Sequence, residues 1–273
     1  MNYFKPESLD EYFNCIEKSE GFVRPLAGGA DIMHRLKKKF LKKDGLTLID
    51  INVLSDLKEL EERDGELRIG ALTKLSRLQE FLAGKAGYNL LHTALGSSAC
   101  SQIRHQGTVG GHLAGCLPGS HLFPVLLLHE ARIEIVSPGG MREVDLDTLQ
   151  KQPYHNNLKK NELISALILP ALPAKKSYYW GEGERKGFCF APFVLGWSFS
   201  EEAGLRIAGG NLPRGAVRFR VLEEKLAGSF VPLIDCLKEE FHFQEKQGNP
   251  LSEYQKTLLY RFMKVIKDKG EIK

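Results

Sequence analysis

The sequence lacks any apolar run of the roughly 18 residues that a membrane-spanning helix needs. It also lacks an excess of one charge, because 38 Lys and Arg stand against 34 Asp and Glu, which leaves a formal net charge of +4. So mild a balance argues against a nucleic acid as partner. Glu7 and Asp10 interrupt the first ten residues, which is untypical of a signal peptide. We therefore expect no membrane span and no nucleic-acid partner.

Cysteine pairs and common catalytic motifs are also missing. The five cysteines form no CxxC pair and make an odd number, which favours reduced thiols and a cytoplasmic location over a disulfide framework. The GxxxxGKS/T phosphate loop and the GxSxG nucleophile elbow do not occur. These absences point away from phosphate-loop nucleotide hydrolysis and from serine hydrolase chemistry.

Possible metal ligands are concentrated in one stretch of the sequence, but their spacing matches no zinc motif. They are His105, His112, His121, His129 and Cys116. We interpret the histidines as loop and helix-surface residues and predict no metal site. Cys100 and Cys116 are interpreted as small buried residues, because iron–sulfur clusters are held by several thiolates.

The hydrophobic pattern predicts an α+β protein in at least two packed parts. With 42% hydrophobic and 26% charged residues, the composition is typical of a globular protein. An amphipathic helix over 8–20 is followed by buried strands over 22–27 and 46–51, and later by a strand over 163–169. Two prolines, Pro170 and Pro173, end that last strand and mark a predicted domain boundary.

Glycine, at 27 residues, is the one enriched residue type, and it is concentrated in two loops. The first runs from Leu26 to Asp31 and the second from Gly107 to His112. Consecutive glycines let backbone N–H groups approach the oxygens of a nucleotide diphosphate, and the first loop also opens a helix that Asp31 is expected to cap. Thr108 adds a hydroxyl donor. The alternative is that both loops are ordinary tight turns.

The motifs around these loops resemble one family. They are AGGAD, LIDI, LRIGALTKLSRL, QIRHQGTVGGHLAGCLPGSHLFPVLL and NELISALILP, and the most specific of them has the form IRxxGTxGG. The sequence is similar to the flavin-binding subunit of the molybdenum hydroxylases, such as the medium subunit of aerobic carbon monoxide dehydrogenase and the equivalent module of xanthine dehydrogenase. The resemblance runs from about residue 4 to residue 228, where Arg218, Glu223, Leu226 and Gly228 match the family pattern.

This resemblance implies a two-subdomain FAD-binding domain of the PCMH type over 1–172, with subdomains of about 1–54 and 55–172. A smaller α+β domain, similar to the C-terminal domain of carbon monoxide dehydrogenase flavoprotein, would follow over 173–273. The diphosphate of FAD would lie between the two glycine loops, and Ile164 would face the flavin ring. The implied cofactor-binding residues are Leu26, Ala27, Gly28, Gly29, Ala30, Asp31, Ile32, Thr108, Gly110, Gly111, His112, His121 and Ile164.

The resemblance also implies a function and a set of partners. Electrons would come from a molybdopterin-binding large subunit through a [2Fe-2S] small subunit. They would be paired on the flavin and would leave to NAD, a quinone or oxygen. Because the cofactor carries the redox chemistry, no catalytic acid or base is expected on this chain.

The sequence departs from the family pattern at three places. His121 stands where the family has an Asp, His112 stands where it has Asn or Ser, and a lysine common before the arginine of the next domain is missing from 180–185. His121 and the missing lysine motivate an alternative, a structural or maturation subunit with weak or no flavin binding.

Two further segments have competing interpretations. The glycines of 181–187 mimic a dinucleotide loop but precede a strand pattern, so we interpret them as a turn. The stretch 35–43 holds six positive charges in nine residues and is interpreted as a solvated helix end, with docking of an acidic partner subunit as the alternative.

Overall fold

The computed structural model describes residues 1–172, 174, 176–181, 191–228 and 232–268. The chain has an α+β fold, as predicted. Within the described residues, no helix is long and apolar enough to cross a bilayer. Residues 182–187 of the predicted turn, which include most of the segment with the missing lysine, lie outside the described residues, and so do Cys189 and Pro173.

The strands and helices alternate in the first part of the chain and are grouped in the second. The strands are β1 Asn2–Phe4, β2 Phe22–Leu26, β3 Leu46–Asp50, β4 Leu60–Arg63, β5 Glu66–Gly70, β6 Arg132–Ser137, β7 Gly140–Asp145, β8 Gln150–Gln152, β9 His155–Asn156, β10 Leu163–Pro170, β11 Lys176–Gly181, β12 Val194–Ser200, β13 Gly204–Leu212 and β14 Gly215–Arg218. The helices are α1 Leu9–Glu17, α2 Ala30–Lys37, α3 Leu75–Leu82, α4 Asn89–Ser97, α5 Ser101–Gln106, α6 Val109–Gly115, α7 Leu122–Leu128, α8 Leu146–Leu149, α9 Arg220–Gly228, α10 Leu233–Lys246 and α11 Glu253–Asp268.

A small parallel sheet with strand order β1-β3-β2 begins the fold. The connections β1-α1-β2 and β2-α2-β3 are crossover units, and α1 is capped by the Ser8 hydroxyl, which accepts the Glu11 N–H at 3.2 Å. Tyr12, Phe13 and Ile16 of α1 are buried with Ile49 of β3. The carboxyl ends of β2 and β3, where ligands of parallel sheets bind, therefore lie side by side.

A five-stranded antiparallel sheet, β4-β5-β10-β6-β7, holds the main core together. Its central strand β10 is buried along almost its whole length, which explains its continuous apolar sequence. A bulge lies between Ile164 and Ala166, and the Ser165 carbonyl within it accepts the Ala71 N–H at 2.8 Å. The bulge thereby fixes the chain that follows β5, to which the second glycine segment is hydrogen-bonded.

The last part of the chain forms its own sheet, β11-β12-β13-β14, with its own hydrophobic core around Trp197, Phe219 and Leu259. Gly215–Arg218 is a strand, and helix α9 begins at Arg220 directly after it. Helix α7 contacts β12, β13 and β14, so it joins this sheet to the main core. The division of the chain at residue 172 stays a prediction.

Candidate functional site

The first glycine loop connects the carboxyl end of β2 to the amino end of α2. Gly29 is the N-cap residue of α2 and has a φ of +73°, a conformation that favours glycine. No side chain caps this helix, so its first-turn N–H groups have no acceptor from a capping residue. The prediction that Asp31 caps α2 is wrong. Asp31 lies within the first turn, where its carboxylate pairs with Arg35 at 2.7 Å, which offsets a negative charge at this end.

A polar network behind the first loop fixes its path. The Asn52 side-chain amide donates to the Ala27 carbonyl at 2.8 Å and to the Leu26 carbonyl at 3.3 Å. Asp50 holds Asn52 by accepting its backbone and side-chain N–H groups, and the Tyr3 hydroxyl donates to the second oxygen of Asp50 at 2.7 Å. Burial raises the pKa of Asp50, but the hydrogen bonds from Asn52 and Tyr3 outweigh it and the pKa falls below its usual value.

The second glycine segment is the start of a helix as well as a loop. Thr108 is the N-cap residue of α6, and its hydroxyl oxygen accepts the Gly111 N–H at 3.1 Å. The Gly110 N–H donates to the Ala71 carbonyl at 2.8 Å, and the Val109 N–H donates to the Thr73 carbonyl at 2.9 Å. The amides of Val109, Gly110 and Gly111 are thus already bonded within the chain.

The structure therefore shows a different reason for glycine at position 110 than the expected contact with a diphosphate. A Cβ at this position would lie 2.6 Å from the Ala71 Cβ and 3.0 Å from its carbonyl oxygen. Glycine is needed here because α6 passes directly over the strand end at Ala71. The N–H groups open to an anion belong to the first turn of α2, while the second segment contributes Thr108 and the residues that flank it.

The two glycine segments are adjacent in space, as predicted. A Cβ on Gly28 would lie 2.8 Å from the Gln106 carbonyl carbon and 3.1 Å from the Gly107 Cα, so only glycine fits at position 28 without moving the backbone. Lys74 joins the same junction, because its ammonium donates to the Gln106 carbonyl at 2.8 Å and its backbone pairs with Thr108. The sequence analysis did not single out Lys74, although this residue lies within the quoted stretch LRIGALTKLSRL.

His112 is half-buried and has a defined proton arrangement. The Ser120 hydroxyl accepts the N–H groups of Leu122 at 3.2 Å and Phe123 at 3.3 Å, which occupies its lone pairs. Its own proton is then donated to His112 Nε2 at 2.7 Å. Burial, with a smaller contribution from His121, lowers the pKa of His112 to about 4. The imidazole is therefore neutral and carries its proton on Nδ1, which makes that atom a donor.

His121 and Ile164 both lie inside the protein. His121 is 2% exposed, and its Nδ1 forms a hydrogen bond with the Tyr179 hydroxyl of β11. Ile164 is 3% exposed and packs in the main core together with Val109 and Leu113 of α6. Their roles at the cofactor stay predictions, and neither side chain belongs to the exposed wall of the loop junction.

The remaining possible ligands do not converge. Among the described residues, no group of three His, Cys, Asp or Glu side chains is arranged to hold a metal ion. Cys15, Cys100, Cys116 and Cys236 carry free thiols, and burial raises the pKa of Cys116 to about 11, which keeps it a protonated thiol. The sequence analysis suggested that His129 lies on the surface, and this prediction is wrong. His129 is 1% exposed and bonds to the Pro170 carbonyl at 2.8 Å.

The junction fits a dinucleotide diphosphate. Unbonded helix N–H groups, a left-handed glycine and a neighbouring ammonium are the groups that bind such an anion. The Thr73 hydroxyl, buried next to the second segment, has no hydrogen-bond partner within the chain. Arg35 of α2 lies over the Tyr154 ring at 5.0 Å, and the Tyr154 N–H donates to the Cys116 carbonyl at the end of α6, so Tyr154 connects these two helices.

Comparison with known proteins gives the same answer by an independent route. Residues 1–172 match the family described as the FAD binding domain in molybdopterin dehydrogenase. The chain is 28% identical over 264 residues to the glyceraldehyde dehydrogenase medium chain of Sulfolobus acidocaldarius, covering 96% of this chain and 92% of that one. It is 27% identical over 232 residues to the carbon monoxide dehydrogenase medium chain of Hydrogenophaga pseudoflava, covering 84% and 80%.

Solved structures show the same fold over almost the whole chain. A cyanide-inactivated Cu,Mo-CO dehydrogenase superposes with a TM-score of 0.81 at 23% identity, covering 95% of this chain and 93% of that one. Quinoline 2-oxidoreductase from Pseudomonas putida 86 superposes with a TM-score of 0.80 at 22% identity, covering 98% and 94%. The likeness at this identity concerns the fold.

Proposed function

The chain belongs to the family of FAD binding domains in molybdopterin dehydrogenase, and on that premise we propose that it is the FAD-binding electron-transfer subunit of a molybdenum hydroxylase-type oxidoreductase complex. FAD is the cofactor that this family binds. The contact of Gly28 with Gln106 and Gly107 carries the proposal, because it brings two glycine segments that are distant in sequence to one anion-binding junction.

The chain's own residues bind and orient the cofactor. The first-turn N–H groups of α2 hold the diphosphate, with the Asn52 network keeping the loop in place behind them. Thr108, whose side chain is 2% exposed, caps α6 at this junction, and Nδ1 of His112 adds a neutral donor. These residues belong to the predicted cofactor-binding set, and we propose that Leu26 to Ile32 contribute to it through their backbone.

The proposed complex divides the reaction between subunits. FAD supplies the capacity to collect single electrons and release them as a pair. The electrons come from a [2Fe-2S] subunit, which takes them from a molybdopterin-binding large subunit where the substrate is oxidised. They leave to NAD, a quinone or oxygen. Because FAD would carry the redox chemistry, the chain needs no catalytic acid or base of its own.

The predicted domain division and location complete the proposal. Residues 1–172 hold FAD as two subdomains, and residues 173–273 form the C-terminal α+β domain. The free thiols of the four cysteines that the structure describes are consistent with a cytoplasmic protein.

Purification of the chain with and without its two partner subunits tests the function. We expect bound FAD in the isolated chain, with its absorption bleached by dithionite. In the assembled complex, the organic substrate should bleach the same band, whereas it should leave the isolated chain oxidised. Bound FAD that the reduced partners do not bleach would contradict the electron-transfer role.

The alternative is a structural or maturation subunit that binds flavin weakly or not at all. The burial of His121 against Tyr179 favours it, because the side chain at the place of the family's Asp is satisfied within the chain. A colourless protein whose added FAD shows no fluorescence quenching would support this alternative.

A further inference from the structure

Lys74 is a half-buried cation at the loop junction that has no acidic partner among the described residues. Its ammonium bonds to the carbonyl of Gln106, the same peptide group against which Gly28 packs. Burial is the main cause that lowers the pKa of this ammonium, and the positive charge of Lys58 lowers it further. Both effects disfavour a cation, so the chain alone leaves this charge uncompensated.

An anion would remove this imbalance. Lys74 bonds to the Gln106 carbonyl against which Gly28 packs, and Gly28 directly precedes the N-cap residue of α2, so the ammonium and the α2 N–H groups belong to one junction. A diphosphate carries charge on both phosphate groups and can accept hydrogen bonds from both kinds of donor.

We propose that Lys74 is the counter-charge of the cofactor's diphosphate, and so a binding residue for FAD on this chain. This inference rests on the proposed function. The bond to the Gln106 carbonyl directs one of the three ammonium protons and leaves two for phosphate oxygens.

A purely structural role makes a different prediction. Gln106 is the last residue of α5, and a lysine near a helix C-terminus is stabilised by the helix dipole. If Lys74 serves only that purpose, its replacement lowers stability and leaves anion binding unchanged.

The test measures binding of inorganic diphosphate, FAD and riboflavin to the apoprotein by calorimetry in low and moderate salt. Lys74→Gln should weaken the binding of diphosphate and of FAD about tenfold and reduce the salt dependence of both affinities. The affinity for riboflavin, which has no phosphate, should be unchanged. Lys74→Arg keeps the charge and should restore most of the affinity. Lys58→Gln is the matched control and should change diphosphate binding much less than Lys74→Gln.

Proton uptake gives a second readout. Because the anion favours the charged ammonium, binding of diphosphate in alkaline buffer should take up a proton, and Lys74→Gln should abolish that uptake. Unchanged affinity, salt dependence and proton uptake in Lys74→Gln would overturn the inference while FAD still binds to the parent chain. Lys74-dependent binding of inorganic diphosphate without any flavin binding would instead retain Lys74 as a diphosphate ligand, but it would refute FAD as the ligand and with it the proposed function.

Discussion

The replacement Gly28→Ala tests the contact between the two glycine segments. The added Cβ would lie 2.8 Å from the Gln106 carbonyl carbon and closer to its oxygen, against about 3.5 Å for an ordinary carbon contact. The segments must therefore separate by about 1 Å, since both sides of the clash are backbone. Gly28 has no positive φ, so the substitution adds a steric effect without local backbone strain.

A shift of this size breaks the alignment between the α2 amides and Thr108. Loss of one charge-assisted hydrogen bond weakens the binding of FAD by about 10- to 100-fold, and overpacking lowers the free energy of unfolding by about 1–3 kcal/mol. Gly139→Ala is the control, because the nearest side-chain atom lies 3.7 Å away in an exposed hairpin turn. Titration of both apoproteins with FAD, together with urea unfolding, separates the two effects. Equal FAD affinity in the two variants would refute the reasoning.

Three other predictions concern the surroundings of the junction. Asn52→Ala removes the donor that holds the Ala27 carbonyl and should weaken FAD about tenfold in a fluorescence titration, while Asn157→Ala, which loses an exposed bond to Thr148, leaves it unchanged. His112→Asn places an amide N–H near the position of Nδ1 and should retain FAD, whereas His112→Gln places it near Nε2 and should not; equal loss in both would disprove the assigned proton. Burial lowers the pKa of His112 and of His129 to about 4. Between that pH and about 6.5, each side chain is neutral in the folded chain but protonated in the unfolded chain. Their stabilising contribution is complete above the ordinary value of about 6.5 and is lost as the pH falls toward 4; between about pH 7.5 and 5, urea unfolding should show a loss of about 2 kcal/mol for each. A free energy of unfolding that stays level across that range would contradict the buried neutral state.

The elements and the adjacency of the glycine segments could be predicted because local pattern controls both. Alternating or continuous apolar residues marked β3 and β10, and the glycine pairs marked close backbone approaches. The reason for each glycine could not be predicted. Gly28 faces the other segment, whereas Gly110 faces Ala71, and only the folded chain distinguishes these cases.

The side-chain contacts of the site also could not be predicted from the sequence. The expected cap Asp31 pairs with Arg35 one turn later, because Gly29 already ends the loop in a left-handed conformation. Lys74 reaches Gln106 across 32 positions, and Ser120 sets the proton of His112 from the turn before α7. Such contacts depend on tertiary packing, which no motif in this sequence encodes.

Displacement of bound FAD by its fragments tests the central claim most directly. ADP contains the diphosphate and FMN contains a single phosphate, so the account predicts that ADP displaces FAD from the chain at far lower concentration than FMN does. If FMN displaces FAD as readily as ADP does, or if no concentration of ADP displaces FAD, the two glycine segments do not hold the diphosphate.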